Sequence, residues 1–352
     1  MVLKLFRKKE KHAPRPASGD TRNGNNTPEK DAHEELRGYV RKGLDQIFAG
    51  DADPAPETIL DLNNIPERRL DAIMGIVGQM QRLGAAYEKF KSLNDPMASM
   101  ERIAQSVASD PIFSAKVLKT ANSPYFGLPG KVTSVSHALA ILGLVNLKTL
   151  YFQEHFKILG TGNQKIQAVQ RHVWEHATHT AISASFLAKA FDVKDRETAF
   201  TIGLLHDVGK LVLINLGLGQ DIRQALAAIY TSGGSMALEN KLLGVNHALA
   251  GRIAANKWEL PSLIIQTTAL HHSLPSLSAT DSTMDPDVRG HLIVLFLADQ
   301  VAKLFCAKDH GSYPVTSLPP QYLPHVSLKR VKKALFHSQL FQEIEKARAV
   351  SI

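Results

Sequence analysis

Cysteine is almost absent from the chain. The one copy, Cys306, excludes an intramolecular disulfide and fits a reducing, cytoplasmic setting. Long apolar runs are missing too. The longest near the candidate site residues, Leu292 to Ala298, is well short of the roughly 20 residues a spanning helix needs, so no transmembrane segment is expected. The opening MVLKLFRKKEKH is basic, but no apolar stretch of about 7 to 15 residues follows it, so it does not read as a secretory signal. Strand signals are scarce: few segments alternate strictly, and β-branched runs bounded by Asn-Gly or Asp-Gly turns are lacking. No internal repeat of fixed period is present. The expected fold class is therefore all-α.

What is present is ordinary globular composition, with 44% hydrophobic and 21% charged residues in 352, enough for one large core or two smaller ones. The net charge of +8 is unevenly spread. Residues 1–30 hold eight Lys or Arg against three acidic residues, a net +5, which reads as a solvated basic tail or a weak tether to anionic lipid or a partner. Nucleic-acid binding is not expected, because the charge sits in a tail and no base-reading motif appears. Residues 12–30, rich in Pro, Gly and Asn, are expected to be disordered or a linker. Asp31 to Phe48 reads as an amphipathic helix with Leu36, Val40, Leu44 and Ile47 on one face, ended by Gly50. After a second break, DADPAPETILDLNNIP, the pattern is helical almost throughout. Leu70, Ile73, Ile76, Val77 and Met80 form one stripe; Met100, Ile103, Val107 and Ala108 form another.

The chemistry-bearing residues lie in the C-terminal half. TAFTIGLLHDVGKLVLINL, residues 198–216, reads as a buried helix, yet it contains His206, Asp207 and Lys210. Burying such groups without partners costs several kcal/mol. Lys210 shares a side with both and could hold Asp207 or contact an anionic substrate. His176 sits in a helix whose Ala177, Ala181, Ala184 and Leu187 face inward, with His172 a turn earlier and His179 three residues later. His247 follows Asn246, a good N-cap, and His271-His272 close the segment Pro261 to Leu270. Asp299 is the sharpest outlier, because it follows LIVLFLA in a helix apolar on nearly every face. A carboxylate there needs a cation, either a metal or a buried Lys or Arg. Imidazoles and carboxylates without thiolate suit Fe, Mn, Zn or a similar ion, and the set exceeds one ion's usual needs. If two ions bind, Asp207 is the natural bridge, since a carboxylate can lend one oxygen to each. One or two divalent transition-metal ions are thus expected, and the chemistry they suit is metal-assisted hydrolysis.

The order His, His-Asp, His, His-His, Asp in a helical setting resembles the HD superfamily of metal-dependent phosphohydrolases. Within it the chain looks like an HDOD protein, the HD-related output domain of bacterial signalling. Residues 110–150, DPIFSAKVLKTANSPYFGLPGKVTSVSHALAILGLVNLKTL, are similar to that family's N-terminal signature, and AFTIGLLHDVGKLVL, GVNHALAG and ALHHS follow in family order. The resemblance covers roughly residues 65–305. It implies a two-part helical bundle, an N-terminal helical subdomain packed on an HD-type metal-binding subdomain. The boundaries it suggests are a tail at 1–30, a helix and linker at 31–60, the N-terminal helical part at 61–165, the metal-binding part at 166–310, and a C-terminal loop and helix at 311–352.

The metal ligands the resemblance implies are His176, His206, Asp207, His247, His271 or His272, and Asp299, with Lys210 facing phosphate and Asp207 also serving the chemistry. SLPSLSAT follows His271-His272 where the related cyclic-dinucleotide enzymes have Gly-Tyr-Pro, and His172 stands where they often carry a carboxylate. Both departures argue against cyclic di-GMP as substrate. Two functions follow from the resemblance: a metal-dependent phosphohydrolase acting on a nucleotide or other phosphoester, or a non-catalytic signalling adaptor. The partner is accordingly a small phosphorylated ligand or a signalling protein.

Overall fold

A computed structural model of the chain describes residues 28–49, 65–80, 99–156, 164–191, 193, 195–216, 218–232, 236–280, 282–310 and 315–350. Residues 1–27 of the expected basic tail, and all but the end of the break that follows the first helix, lie outside these. Among the described residues the regular structure is helical, with no strand.

The first part of the chain forms α1 (Pro28–Ile47), α2 (Glu67–Gln79), α3 (Met100–Ala108), α4 (Pro111–Ala121) and α5 (Val135–Phe156). The long α6 (Gln164–Ala188) leads into α7 (Arg196–Leu205) and α8 (Val208–Ile214). Then come α9 (Gln220–Thr231), α10 (Met236–Leu243), α11 (His247–Lys257), α12 (Ser262–Leu270) and α13 (Pro286–His310). The C-terminal stretch, expected as a loop and helix, holds a 3-10 turn at Pro320–His325 and the helices α14 (Leu328–Leu335) and α15 (Ser338–Val350).

The α1 stripe of Leu36, Val40, Leu44 and Ile47 is fully buried, each side chain contributing on the order of 1.5–3 kcal/mol. It docks on α13 so closely that Gly43 has no room for a Cβ beside Leu304. Helix α2 packs on α8 and α11, where Trp258 Nε1 donates to the Val77 carbonyl (3.4 Å) and Arg69 Nε to that of Leu243 (3.2 Å). In α3 the stripe is narrower than its sequence suggests. Ile103, Ala104 and Val107 are buried, whereas Met100 and Ala108, at the two ends of this short helix, are exposed.

The signature at 110–150 has a mechanical explanation. Asp110 caps α4 by accepting from the Phe113 amide, and Pro111 occupies the first helical position, where its missing N–H costs nothing. Asn122 ends the helix and pins the next loop with two hydrogen bonds to the Val132 backbone, both 2.9 Å. Gly127 and Gly143 take positive φ, of 53° and 76°; the second bends α5 at the Ile-Leu-Gly motif.

Helix α13 is the central strut. Its window 286–307 is long and apolar enough to cross a membrane by length and composition (mean hydropathy 1.5), but 78% of that window is buried within the fold. It packs against α6, α7, α12 and α1. Ala181 and Gly203 bring α6 and α7 into backbone contact, since a Cβ on Gly203 would lie 2.7 Å from the Ala181 Cα.

Candidate metal centre

The segment 198–216 is two helices rather than the continuous one its apolar pattern suggests. The break falls at His206-Asp207, where Asp207 takes φ −98° and ψ 11°. Ending α7 here turns both side chains toward the bundle interior and starts α8 with Lys210 in its first turn. Lys210 Nζ then reaches Asp207 Oδ2 at 2.6 Å, as the three-residue spacing allows.

Two donor sets meet at Asp207. One is His176, His206 and Asp207; the other is Asp207, His247, His271 and His272. Within each set the donor atoms lie within 4.8 Å of one another. His206 Nε2 is 3.3 Å from Asp207 Oδ2, while His247 Nε2 and His271 Nε2 are 3.3 and 3.6 Å from Oδ1. Asp299, from α13, joins the first set through its 2.9 Å contact with His176 Nε2 and lies 3.8 Å from His206 Nε2.

The tautomers show which nitrogen faces the centre. His206 Nδ1 donates to the Gly203 carbonyl and His271 Nδ1 to that of Thr268, both at 2.7 Å. His247 Nδ1 donates to Glu239, with oxygens at 2.8 and 2.9 Å, and Glu239 also accepts from the His247 amide at 2.7 Å. Each of these three rings, when neutral, turns an Nε2 lone pair inward. The His247 and His271 Nε2 atoms are only 3.2 Å apart, and those of His247 and His272 only 3.0 Å. His206 Nε2 and Asp207 Oδ1 are buried without a hydrogen-bond partner. Lone pairs converging on one another, with an orphaned carboxylate oxygen among them, are the donor arrangement a cation relieves, and the residues present fit a divalent metal.

Electrostatics agree. Burial would raise the Asp207 carboxyl, but the charges of His206 and Lys210 hold it well below the usual range. Burial likewise opposes ionisation of Asp299, yet Lys303 and then His176 keep it ionised. Burial, reinforced by the Lys210 charge, keeps His247 neutral; burial beside His271 and His247 does the same for His272. At His206 burial disfavours the cation, but Asp207 outweighs it and draws a proton on. A proton there and a metal ion are alternative ways of balancing Asp207.

Asp299 is not the isolated carboxylate its sequence context suggests. Lys303, one turn on, pairs with its Oδ2 at 2.8 Å, and Gln300 Nε2 donates to the same oxygen at 2.8 Å. His179 lies apart from the cluster, its Nδ1 3.5 Å from Cys306 Sγ. Glu239 escapes the sequence pattern altogether. Its segment ALENKLLGVNH reads as an ordinary solvated helix face, yet the residue is fully buried and burial pushes its carboxyl up to about 7. The only cue was an acidic residue eight positions before a candidate ligand.

Residues 84–274, more than half of the chain, match the HDOD domain model. The chain belongs to the HDOD family. Asp299 lies beyond the matched region. An uncharacterized protein of Treponema pallidum is 26% identical over 188 residues, which make up 53% of this HDOD protein but only 36% of that relative's length. Two solved structures resemble parts of the chain. An HDOD domain protein of unknown function from Geobacter sulfurreducens is 23% identical, covering 90% of this chain and 98% of that one, with a TM-score of 0.46. A candidate signal transduction protein from Marinobacter aquaeolei is 17% identical, covering 91% and 66%, with a TM-score of 0.51.

Proposed function

We propose that this HDOD protein is a bacterial signalling protein that holds two divalent transition-metal ions and hydrolyses a phosphoester or nucleotide. The observation that carries it is the sharing of Asp207 between two sets of inward-facing donors. His176, His206, Asp207 and Asp299 would hold one ion, and Asp207, His247, His271 and His272 the other. The ions would supply Lewis-acid activation of water and charge neutralisation at phosphorus. Lys210 keeps Asp207 ionised and, at the cavity wall beside Tyr230 and Lys303, offers a cation to an incoming phosphoryl oxygen. Glu239 fixes the His247 tautomer so that Nε2 remains a donor to metal.

The same proposal takes residues 61–165 as an N-terminal helical part and 166–310 as the metal-binding part, since every candidate ligand falls between His176 and Asp299. A cytoplasmic location accompanies it, on the strength of the lone, buried Cys306.

The test is a hydrolysis screen over nucleotides, cyclic dinucleotides and phosphomonoesters with Mn-, Fe- or Zn-loaded protein. A phosphohydrolase releases product at a rate that falls at least about 100-fold in Asp207→Ala, the range of a lost electrostatic stabiliser. Fully metal-loaded protein without turnover would refute catalysis.

A non-catalytic adaptor is favoured by one specific observation. The cavity at the centre has a volume of about 20 Å3, room for little more than one water. A nucleotide would require the walls to part. An adaptor keeps its biological output in a folded Asp207→Ala variant, and loss of output there would count against it.

A further inference from the structure

A second cavity, of about 460 Å3, opens between the C-terminal end of α6, the start of α7, α14 and the start of α15. This is the size of a small-ligand pocket. Four cations line it, Lys189, Arg196, Arg330 and Lys333, and its described lining contains no acidic side chain. No ion pair to Lys189 or Lys333 is found among the described residues. The chain outside residues 1–30 carries only a small positive excess, so four cations around one opening are a marked concentration. Like charges gathered around a concave opening focus a positive potential that favours an anion.

The cavity also has an aromatic wall. Phe186 is half-buried, the Arg196 guanidinium lies over its ring at 5.5 Å, and the His337 ring stands 5.9 Å away at 45°. A phosphate alone would need only the cations. A ring system beside the phosphate would use the aromatic wall as well.

The site is separate from the metal centre. Arg196 opens α7 and His206 follows its last residue, so the two are about 15 Å apart along the helix axis; Phe186 and His176 are similarly spaced on α6.

We propose that this cavity binds a nucleotide, with its phosphates held by Lys189, Arg330 and Lys333 and its base against Phe186 and His337. The ligand class is recognised by charge and a planar ring together, independently of metal.

The test is isothermal titration of the full chain, stripped of metal with EDTA, at about 0.15 M salt to screen diffuse attraction. ADP, pyrophosphate and adenosine serve as probes. ADP should bind saturably, one per chain, with a sub-millimolar dissociation constant. Pyrophosphate should bind about tenfold more weakly and adenosine not measurably. Lys189→Ala/Lys333→Ala, both exposed positions, should weaken ADP at least about tenfold with an unchanged circular dichroism spectrum and melting temperature. No saturable ADP binding, or equal binding by the double variant, would overturn the site. Pyrophosphate binding as tightly as ADP would overturn the nucleotide.

Discussion

The cluster depends on a contact that contains no side chain. Gly209, two residues after Asp207, faces α11 so closely that a Cβ there would overlap the His247 carbonyl oxygen and lie 2.6 Å from the Gly251 amide nitrogen. Gly209→Ala must therefore part α8 from α11 by roughly 1.7 Å, from the 1.8 Å at which the Cβ would meet the His247 oxygen to ordinary contact at about 3.5 Å. Both neighbours are backbone, so no rotamer change relieves the overlap. Overpacking costs about 1–3 kcal/mol where side chains can adjust, and a rigid backbone contact belongs at or above the top of that range. At about 2–4 °C per kcal/mol, the melting temperature should fall by at least about 6 °C. The displacement also carries His247 away from Asp207, so metal affinity should fall with stability. Gly75→Ala in α2 is the control, because its Cβ meets nothing within 4 Å and the change should stabilise by about 0.4–1 kcal/mol. Differential scanning calorimetry and a metal titration on both variants read the outcome. A Gly209→Ala protein melting within about 1 °C of the parent with full metal affinity would refute the close backbone packing.

Two further outcomes follow from the buried charges. Glu239→Ala removes the carboxylate that orients His247, and metal affinity measured by competition with a chromophoric chelator should drop about 10- to 100-fold. Lys148 is buried and ion-paired with Glu197, and burial lowers its ammonium despite that partner. Between that lowered folded value and its ordinary 10.5 the unfolded chain binds more protons, so this group's contribution to stability rises with pH across the window. Urea titrations between pH 8 and 10.5 should show that rise in the parent relative to Lys148→Met. Parallel pH profiles would contradict it.

Much of the fold and the cluster could be read in the sequence because burial and charge conflict there visibly. The His-Asp pair inside TAFTIGLLHDVGKLVL is ambiguous by itself and gains weight only from the other candidates, and the structure brings His176, His206, Asp207, His247, His271, His272 and Asp299 together. The α1 and α2 stripes were legible because 3.6-residue spacing translates directly into one buried face. What escaped depends on contacts distant in sequence or on backbone geometry. Glu239 looks like a solvated carboxylate until α11 covers it. Lys303 looks like an ordinary helix lysine, yet its half-buried ammonium pairs with Asp299 at 2.8 Å. The helix break at His206-Asp207 is silent in hydropathy, because α7 and α8 are apolar on both sides of it. The four cations of the second cavity come from two stretches of chain more than 130 residues apart, Lys189 with Arg196 and Arg330 with Lys333, and no local pattern unites the two pairs.

Metal content tests the central claim most directly. Protein purified anaerobically should contain close to two equivalents of Fe, Mn or Zn per chain by elemental analysis, and folded Asp207→Ala should lose both, because that carboxylate serves both donor sets. A parent protein without stoichiometric metal, or an Asp207→Ala variant retaining the full complement, would contradict a shared metal centre.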